Sequence, residues 1–425
     1  MKIAVRWKIW FFFVTFFFLF PMICAAESRF ELTPRISVSQ VYDDNVYLDA
    51  TNEESDFMTT VSPGIKLMIS SINNSLSLDY SPTWVWYDKY DKNNTVRHAG
   101  TLTLWQNIAE HLRFNLTDTY RKSEEPLEDI EEVEGVRTTR NTYERNTGSA
   151  NLQYQFGQDD TLTFGYRHSL LENEDVTLDD RTIQNPFGGV TYWFDIRNGL
   201  ELNYGFTKAS FSRGDGSIAG DDYTGHDTDM KYIYRFTPHT KGSIGYDVAT
   251  RNFDGLTEDY EVHEGSIGFD HTYSPDFSFS LRGGYFVQKN ERSNDETGFS
   301  YNASMAKKFE RGHFSIGGQG GWDEAYLEAE RRGLTRYLGV NSRLEFMFIE
   351  GLNGYADGSF RQDRDSANRE WQTLRGNCGF SLVVFRWFFL SLGYSYAQRD
   401  DDFDAQDYTD NRVMLTLTAS RLYRW

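Results

Sequence analysis

The chain has 425 residues, a formal net charge of −20 and a mean hydropathy of −0.59. This strongly negative charge argues against nucleic acid as a partner. Beyond residue 26, no segment approaches the roughly 20 consecutive apolar residues that a membrane-spanning helix needs. Aromatic residues make up 16% of the chain, with 35 glycines but 8 prolines, which suits a protein that is polar inside and apolar in a thin outer band.

The first 26 residues predict a secretory signal peptide. A basic start is followed by an apolar run over residues 9–20, and small residues precede a predicted cleavage site before Glu27. Cys24 could instead be a lipoprotein cysteine, which the bulky residue before it disfavours. Residues 27–425 then form a single exported domain in which Cys378 has no partner for an intrachain disulfide.

From about Arg35 onward, strand-like runs alternate in polarity with a period of two. One such run is apolar at every second position: Leu76, Leu78, Tyr80, Pro82, Trp84 and Trp86. Short turn-like connections alternate strictly with longer polar ones, as in outer-membrane barrels with short periplasmic turns and long extracellular loops. Pro63 and Pro82 each remove a ladder donor, so we expect a bulge or local unpairing there.

An aromatic residue precedes most of the short turns and recurs once per hairpin. These residues are Phe156, Phe194, Phe236, Tyr273, Phe309, Phe346, Phe385 and finally Trp425. Rings repeated in this way predict a girdle at the lipid–water interface. The fold class is therefore all-β, a transmembrane antiparallel up-and-down barrel of about 20 strands, with 18 acceptable. A propeller array would need four shorter strands per repeat, where we count two longer ones.

Residues 413–425 alternate in the same way and end on an aromatic residue. This ending resembles the closing strand of bacterial outer-membrane barrels. The resemblance implies that Tyr423 and Trp425 serve as the signal for the insertion machinery. Arg421 is an exception on the apolar face, and its position near the chain end would let it reach the headgroups.

Two segments near the start carry a family resemblance. Residues 35–48 lead into the motif Tyr42-Asp43-Asp44-Asn45, and residues 55–67 contain Ser-Asp and then Ser-Pro-Gly. This pattern is similar to the start of the putative β-barrel porin type 2 family, whose members often accompany exopolysaccharide biosynthesis and export. The resemblance implies a passage or scaffold for glycan in the bacterial outer membrane, and it brings no catalytic motif.

The polar parity of each strand should face the lumen. The candidate wall residues that would bind a ligand are Arg113, Arg121, Arg167, Lys231, Arg235, Arg282, Arg361 and Arg375, with Lys66, Arg251 and Arg412 beside them. The acids of the same parity are Glu201, Asp229, Asp247, Glu264, Asp270 and Asp357. A basic wall would attract the carboxylates or phosphates of a polymer. Alternatively, the arginines only fill and salt-bridge a wide polar interior.

The longest connection, residues 124–146, is acidic in its first half and basic in its second. Its candidate constriction residues are Glu124, Glu125, Glu128, Asp129, Arg137 and Arg140. By position the connection resembles the third loop of general porins, which folds into the channel. The alternative is a solvated, mobile loop, since runs of like charge are usually that.

Other candidates for chemistry are weaker. The acidic loop tips Asp179-Asp180, Asp221-Asp222 and Asp400-Asp401-Asp402 lack the spacing of a calcium loop, so we expect no metal and no cofactor. His98 and His226 lie near acids, but no nucleophile is fixed beside them, so we expect no enzyme.

The function predicted is passage of an acidic exopolysaccharide. A small-solute porin, a structural or adhesive barrel with a plugged lumen and an outer-membrane hydrolase are the alternatives. The expected partners are outer-membrane lipid, lipopolysaccharide and the barrel-assembly machinery. Passage of a polysaccharide would add that polysaccharide and periplasmic export components.

Overall fold

The computed structural model describes residues 28–125, 140–214, 221–324, 334–365, 368–402 and 406–425. The predicted signal peptide and residues Glu128, Asp129 and Arg137 of the candidate constriction lie outside these ranges. In the described residues, no helix is long and apolar enough to cross a membrane.

Within the same ranges, twenty-one strands form one sheet. Their bounds are β1 Arg29–Asp43, β2 Asp56–Ser70, β3 Asn74–Tyr87, β4 Thr95–Ala109, β5 Leu112–Ser123, β6 Tyr143–Gln155, β7 Thr161–Asn173, β8 Asp179–Trp193, β9 Asn198–Arg213, β10 Tyr223–Thr237, β11 Thr240–Phe253, β12 Tyr260–Ser274, β13 Phe277–Asn290, β14 Glu296–Phe309, β15 Gly312–Glu324, β16 Leu334–Ile349, β17 Leu352–Arg364, β18 Glu370–Phe385, β19 Phe388–Asp401, β20 Tyr408–Ser420 and β21 Tyr423–Arg424.

From β1 to β20, each strand pairs antiparallel with the next along the chain, and the sheet closes on itself because β20 and β21 both pair with β1. One edge of β1 pairs with β2, and the other pairs with β20 from Arg35↔Ser420 to Asp43↔Arg412. Closure leaves no open edge for another chain to join. β1–β20 are 12 to 16 residues long, enough to span a bilayer when tilted. The predicted barrel of about 20 strands is confirmed.

The connections differ at the two ends of the barrel. Those at one end, here called the turn end, are short, such as residues 238–239 and 310–311. Those at the other, here called the loop end, are mostly longer, and residues 124–142 form the longest. The alternation of short connections with mostly longer ones around the ring matches the sequence prediction, although the difference in length is small for some pairs.

Alternation along each strand gives the barrel two different surfaces. Phe164, Ile267 and Phe299, all of the apolar parity, are 60%, 68% and 78% exposed. Exposed apolar side chains on most strands would be unfavourable in water, but they form the band that faces lipid. The aromatic residues predicted to form the girdle are all exposed as well, and they lie beside the turn end.

Several loop boundaries predicted from polarity differ from the structure. Asp179 and Asp180, predicted as a loop tip, belong to β8, where Asp179 accepts a hydrogen bond from Arg213 Nε at 2.8 Å. β6 likewise begins at Tyr143, inside the predicted loop. The hairpins continue past the apolar band because backbone pairing does not require apolar side chains. A change from apolar to polar residues therefore marks the edge of the band and not the end of the strand.

The predicted closing strand is interrupted. Pairing with β1 stops after Ser420 and resumes at Tyr423 in the same register. The gap lies opposite Pro34, which has no N–H to donate. Arg421 at the gap lies over the rings of Trp387 and Tyr423, with its Cζ 4.6 Å and 4.7 Å from their centroids.

Pro63 and Pro82 face each other in the pairing of β2 with β3. Ladder pairing is absent between Val61↔Trp84 and Ile65↔Tyr80, with no shift in register. This is the local unpairing predicted for the two prolines. The hydroxyls of Ser62 and Thr83 bridge part of the gap at 2.8 Å.

Candidate site in the barrel lumen

Side-chain contacts between strands that are not neighbours identify the inner surface. Arg251 on β11 lies 2.9 Å from Glu324 at the end of β15, and Arg282 on β13 lies 2.5 Å from Asp247 on β11. Contacts that skip strands can form only across the concave side of a closed barrel. The polar parity of these strands therefore faces the lumen.

Four of the candidate wall arginines lie over an aromatic ring of a nearby strand. The pairs, with the distance from Cζ to the ring centroid, are Arg113–Trp105 at 4.5 Å, Arg167–Phe187 at 5.8 Å, Arg235–Trp193 at 4.0 Å and Arg361–Tyr337 at 4.1 Å. A guanidinium over a ring face is held by the quadrupole of the ring and keeps its N–H edges available. These four pairs present cationic and aromatic groups together on the wall.

Carboxylates form ion pairs with several of the basic residues predicted for the wall. Lys231 Nζ lies 3.8 Å from Glu201 and 3.9 Å from Asp229, both among the acids predicted for the wall. Arg282 pairs with Asp247, another of that set. Ion pairs that are partly open to water contribute little net energy, so a ligand can replace them.

Sequence parity missed other acids of the wall. Arg235 meets Asp159 at 3.0 Å, and Arg361 meets Asp363 at 2.7 Å and Asp323 at 3.1 Å. Asp159 lies in a turn, where strand parity does not apply. Asp363 could have been found, because it shares the parity of Arg361 two residues earlier.

The remaining predicted wall residues lie in the strands as expected from parity. Arg121 on β5 is opposite Ala99 and Arg145, and Arg375 on β18 is opposite Ser359 and Ala397. Three of the predicted wall acids accept side-chain hydrogen bonds. Asp270 accepts one from Ser280, Glu264 accepts one each from Ser300 and Trp322, and Asp357 accepts one from Asn377.

The base of the longest connection folds inside the barrel. Glu125 lies 2.9 Å from Arg412 on β20, 3.1 Å from Arg140 and 3.3 Å from Arg97 on β4, while Arg140 reaches Asp43 on β1 at 3.2 Å. We call these five residues the seam cluster. Glu124 joins it through Arg97 at 2.6 Å. Three of the predicted constriction residues, Glu124, Glu125 and Arg140, thus lie buried against the inner wall.

Opposite charges keep the seam cluster ionised. Burial alone raises the pKa of Glu125, but the charges of Arg140, Arg412 and Arg97 outweigh it and hold that pKa well below its usual range. Asp43, Asp44 and Asp410 also bring carboxylate oxygens within 4.8 Å of one another. Arg412 lies 3.1 Å from Asp43 and 2.8 Å from Asp410, so guanidinium charge offsets this acidic group.

The motif Tyr42-Asp43-Asp44-Asn45 fastens the barrel seam. Asp44 accepts hydrogen bonds from the backbone N–H of Asn411 at 2.7 Å and from its side-chain amide at 2.8 Å. The Asn45 amide donates to the carbonyl of Thr409 at 3.0 Å. The motif therefore joins the first strand to the last at the loop end.

A second, largely buried group lies inside the barrel on the other side of the ring. It consists of Arg251, Glu324, Asp227 and Tyr260, and we call it the opposite cluster. Arg251 reaches Asp227 at 2.8 Å, and Tyr260 donates a short hydrogen bond to Glu324. Its strands, β10–β12 and β15, lie about half the ring away from β1 and β20. Strand parity placed Arg251 on the wall, but it gave no signal for the cluster, because the four side chains come from four separate strands.

The two histidines considered for catalysis lie on the outer surface. His98 shares a hydrogen bond with the Tyr80 hydroxyl at 2.8 Å, and His226 shares one with the Tyr204 hydroxyl at 2.7 Å. Tyr80 and Tyr204 are exposed residues of the apolar parity. Neither histidine is thus placed to act on a molecule in the lumen.

Residues 28–185 match the family model described as Putative beta-barrel porin 2. The predicted resemblance to this family is confirmed over these residues. The chain is a porin-like β-barrel of the bacterial outer membrane. The matched family is one of porins rather than enzymes, as predicted. No curated protein sequence matches the chain.

Solved structures similar to this chain include the siderophore receptor PirA from Pseudomonas aeruginosa, with a TM-score of 0.52 and 9% identity over 92% of this chain and 80% of that one. The FrpB iron transporter from Neisseria meningitidis has a TM-score of 0.51 and 10% identity over 92% and 82%. OccAB4 from Acinetobacter baumannii has a TM-score of 0.44 and 13% identity over 94% and 100%. At these identities, PirA and FrpB show a shared barrel fold alone.

Proposed function

We propose that the barrel lets an acidic polysaccharide pass through the outer membrane. The observation that carries this proposal is the set of wall guanidinium groups held over aromatic rings, as in Arg113 over Trp105 and Arg235 over Trp193. Aromatic faces stack on sugar rings, and guanidinium edges donate paired hydrogen bonds to carboxylates. Together they suit a polymer that carries both groups.

The charge balance of the wall favours movement of the polymer through the lumen over tight binding. Several of the basic groups that a polymer would contact already have an ion pair, such as Lys231 with Asp229 at 3.9 Å. A carboxylate of the polymer could replace the wall carboxylate in such a pair with little net change in free energy. The association of the resembling family with exopolysaccharide export points to the same substrate class. The chain would then work with periplasmic components that supply polymer, in a membrane containing lipopolysaccharide.

Current block in planar bilayers tests this proposal. We expect an oligogalacturonate to block the current through the purified barrel, and a neutral glucan oligomer of equal length to block it less. Replacing Arg113, Arg167, Arg235 and Arg282 together by Gln should weaken the block by oligogalacturonate about tenfold, since hydrogen bonds to charged groups are lost.

A matched control removes the same charge elsewhere. Arg197, Arg292, Arg311 and Arg386 lie in turns and loops between the strands, so their replacement by Gln should leave the block unchanged. The proposal fails if both sets have the same effect, or if oligogalacturonate does not block the unaltered barrel.

A general porin for small solutes is the second candidate. It is favoured by the close ion pairs of Arg282 with Asp247 and of Arg361 with Asp363, which reduce the excess positive charge of the wall. In that case, small charged and neutral sugars should permeate at similar rates, and neither oligomer should produce resolved block.

A further inference from the structure

The inner wall formed by β12–β16 near the turn end carries polar side chains that are mostly uncharged. It forms a cavity of about 450 Å³. The polar groups that give it its character are Ser280, Asn302, Ser304, Ser315, Gln319 and Asn341. We call this surface the amide groove.

A glycine of the inward parity, Gly317, makes the groove concave. A Cβ at this position would come within 2.5 Å of the Asn341 amide oxygen. Asn302 lies directly opposite Gln319 in the ladder, and Asn341 lies opposite Gly317. Backbone thus forms part of the floor, and the three amides lie on three adjacent strands around it.

The amides of the groove have no partner among the described residues. Asn302, Gln319 and Asn341 make no side-chain hydrogen bond there. Several amides elsewhere on the wall do have partners: the side-chain amide of Asn115 donates to Asn151, that of Asn203 to Asp229, and that of Asn377 to Asp357. The groove therefore keeps several donors and acceptors directed at whatever fills the lumen.

We infer that the amide groove binds an uncharged, hydroxyl-rich sugar unit. An amide both donates and accepts, as a sugar hydroxyl does, so each can satisfy the other in two directions. The glycine floor lets a ring approach the backbone closely, and the volume lies in the range of small-molecule sites. This inference rests on the proposed passage of a polysaccharide and assigns its neutral units a place on the wall.

The nearby charges favour a neutral unit over an acidic one. Asp270 borders the groove and would repel a carboxylate. Two lumen guanidinium groups lie opposite groove residues in the ladder, and a carboxylate holds each of them. Arg282, opposite Asn302, is held by Asp247 at 2.5 Å, and Arg343, opposite Ser315, is held by Glu345 at 2.7 Å. Acidic units would instead meet the arginines that lie over aromatic rings.

Single-channel recordings on the full-length barrel test the inference with the same two probes, a neutral gluco-hexasaccharide and a hexagalacturonate. Replacing Asn302, Gln319 and Asn341 together by Ala should shorten the residence time of the neutral probe about tenfold or more, because each lost hydrogen bond weakens binding several-fold. The residence time of the hexagalacturonate should change less than about twofold, since the groups lost are uncharged.

Matched variants separate the groove from the lumen in general. Asn151, Gln153 and Thr163 lie on β6 and β7 at the inward parity, and their replacement by Ala should leave both residence times unchanged. If the triple alanine variant does not give a heat-modifiable folded band, the isosteric pair Asn302→Asp and Asn341→Asp replaces it with the same expected loss.

The outcomes distinguish the inference from the proposed function. Block of the unaltered barrel by hexagalacturonate but not by the neutral probe would overturn the amide groove and leave the proposed function standing. An unchanged residence time of the neutral probe in the groove variants would overturn it as well. Absence of block by both probes would overturn both.

Discussion

Arg412 on β20 donates a hydrogen bond to Glu125 at 2.9 Å, although Glu125 follows β5, five strands further around the ring. The contact can form only if the chain after β5 turns inward and crosses part of the lumen. Glu125 also meets Arg97 and Arg140. One buried carboxylate therefore holds three guanidinium groups from separate parts of the chain.

Glu125→Gln should destabilise the seam cluster. The change leaves Arg97, Arg140 and Arg412 buried with one carboxylate fewer, and breaking a buried ion-pair network costs about 3 kcal/mol or more. We expect a lower thermal unfolding midpoint in detergent and larger current fluctuations in bilayers. Glu110→Gln, in an exposed turn, should change neither. Equal behaviour of the two variants would show that Glu125 does not hold the loop base.

The seam cluster should be insensitive to mild acid. The folded pKa of Glu125 is held well below its usual range, so its interactions are fully present above the unfolded pKa of roughly 4.3. They are lost only as the pH falls through the depressed folded value. Glu125 should therefore add no pH dependence to the conductance or to the unfolding midpoint between pH 7 and 5. A difference between wild type and Glu125→Gln that shrinks within that window would contradict this prediction.

Asp44→Ala should loosen the seam between the first and last strands at the loop end. It removes the acceptor of the two bonds from Asn411, worth about 1–3 kcal/mol together by the usual magnitude of a hydrogen bond. Amide exchange of β20 residues near Asn411 should accelerate, while exchange in β10 and β11 stays unchanged. Asp88→Ala in an exposed loop is the control. Uniform acceleration around the barrel would argue for global destabilisation instead.

Removing the terminal rings should impair insertion. Tyr423 and Trp425 are stacked with centroids 6.3 Å apart, and the Trp425 backbone exchanges two hydrogen bonds with Phe30. Tyr423→Ala combined with Trp425→Ala should reduce the folded protein in the outer-membrane fraction several-fold. Trp387→Ala removes an exposed ring at the same end and should insert normally. If both variants are reduced alike, the rings act as part of the interface girdle and not as an insertion signal.

Local patterns were enough to predict the fold and the two surfaces of the barrel. The period of two along residues such as Leu76 and Leu78, and the aromatic residues from Phe156 to Trp425, depend only on neighbouring positions in one strand. The same reasoning anticipated unpairing at Pro63 and Pro82, because a missing N–H is a property of the residue itself. It failed for the bounds of β8, where polar residues continue the ladder outside the apolar band.

The sequence by itself determined that arginines such as Arg113 and Arg361 belong to the polar parity of their strands. Only the tertiary structure decided what they meet there, since ring closure sets which strands face each other across the lumen. Arg361 lies over Tyr337 and beside Asp323, and Glu125 binds Arg412. Alternation specifies the side of the sheet on which a residue lies. It carries no information about partners that are hundreds of residues away, because these come together when the first and last strands join.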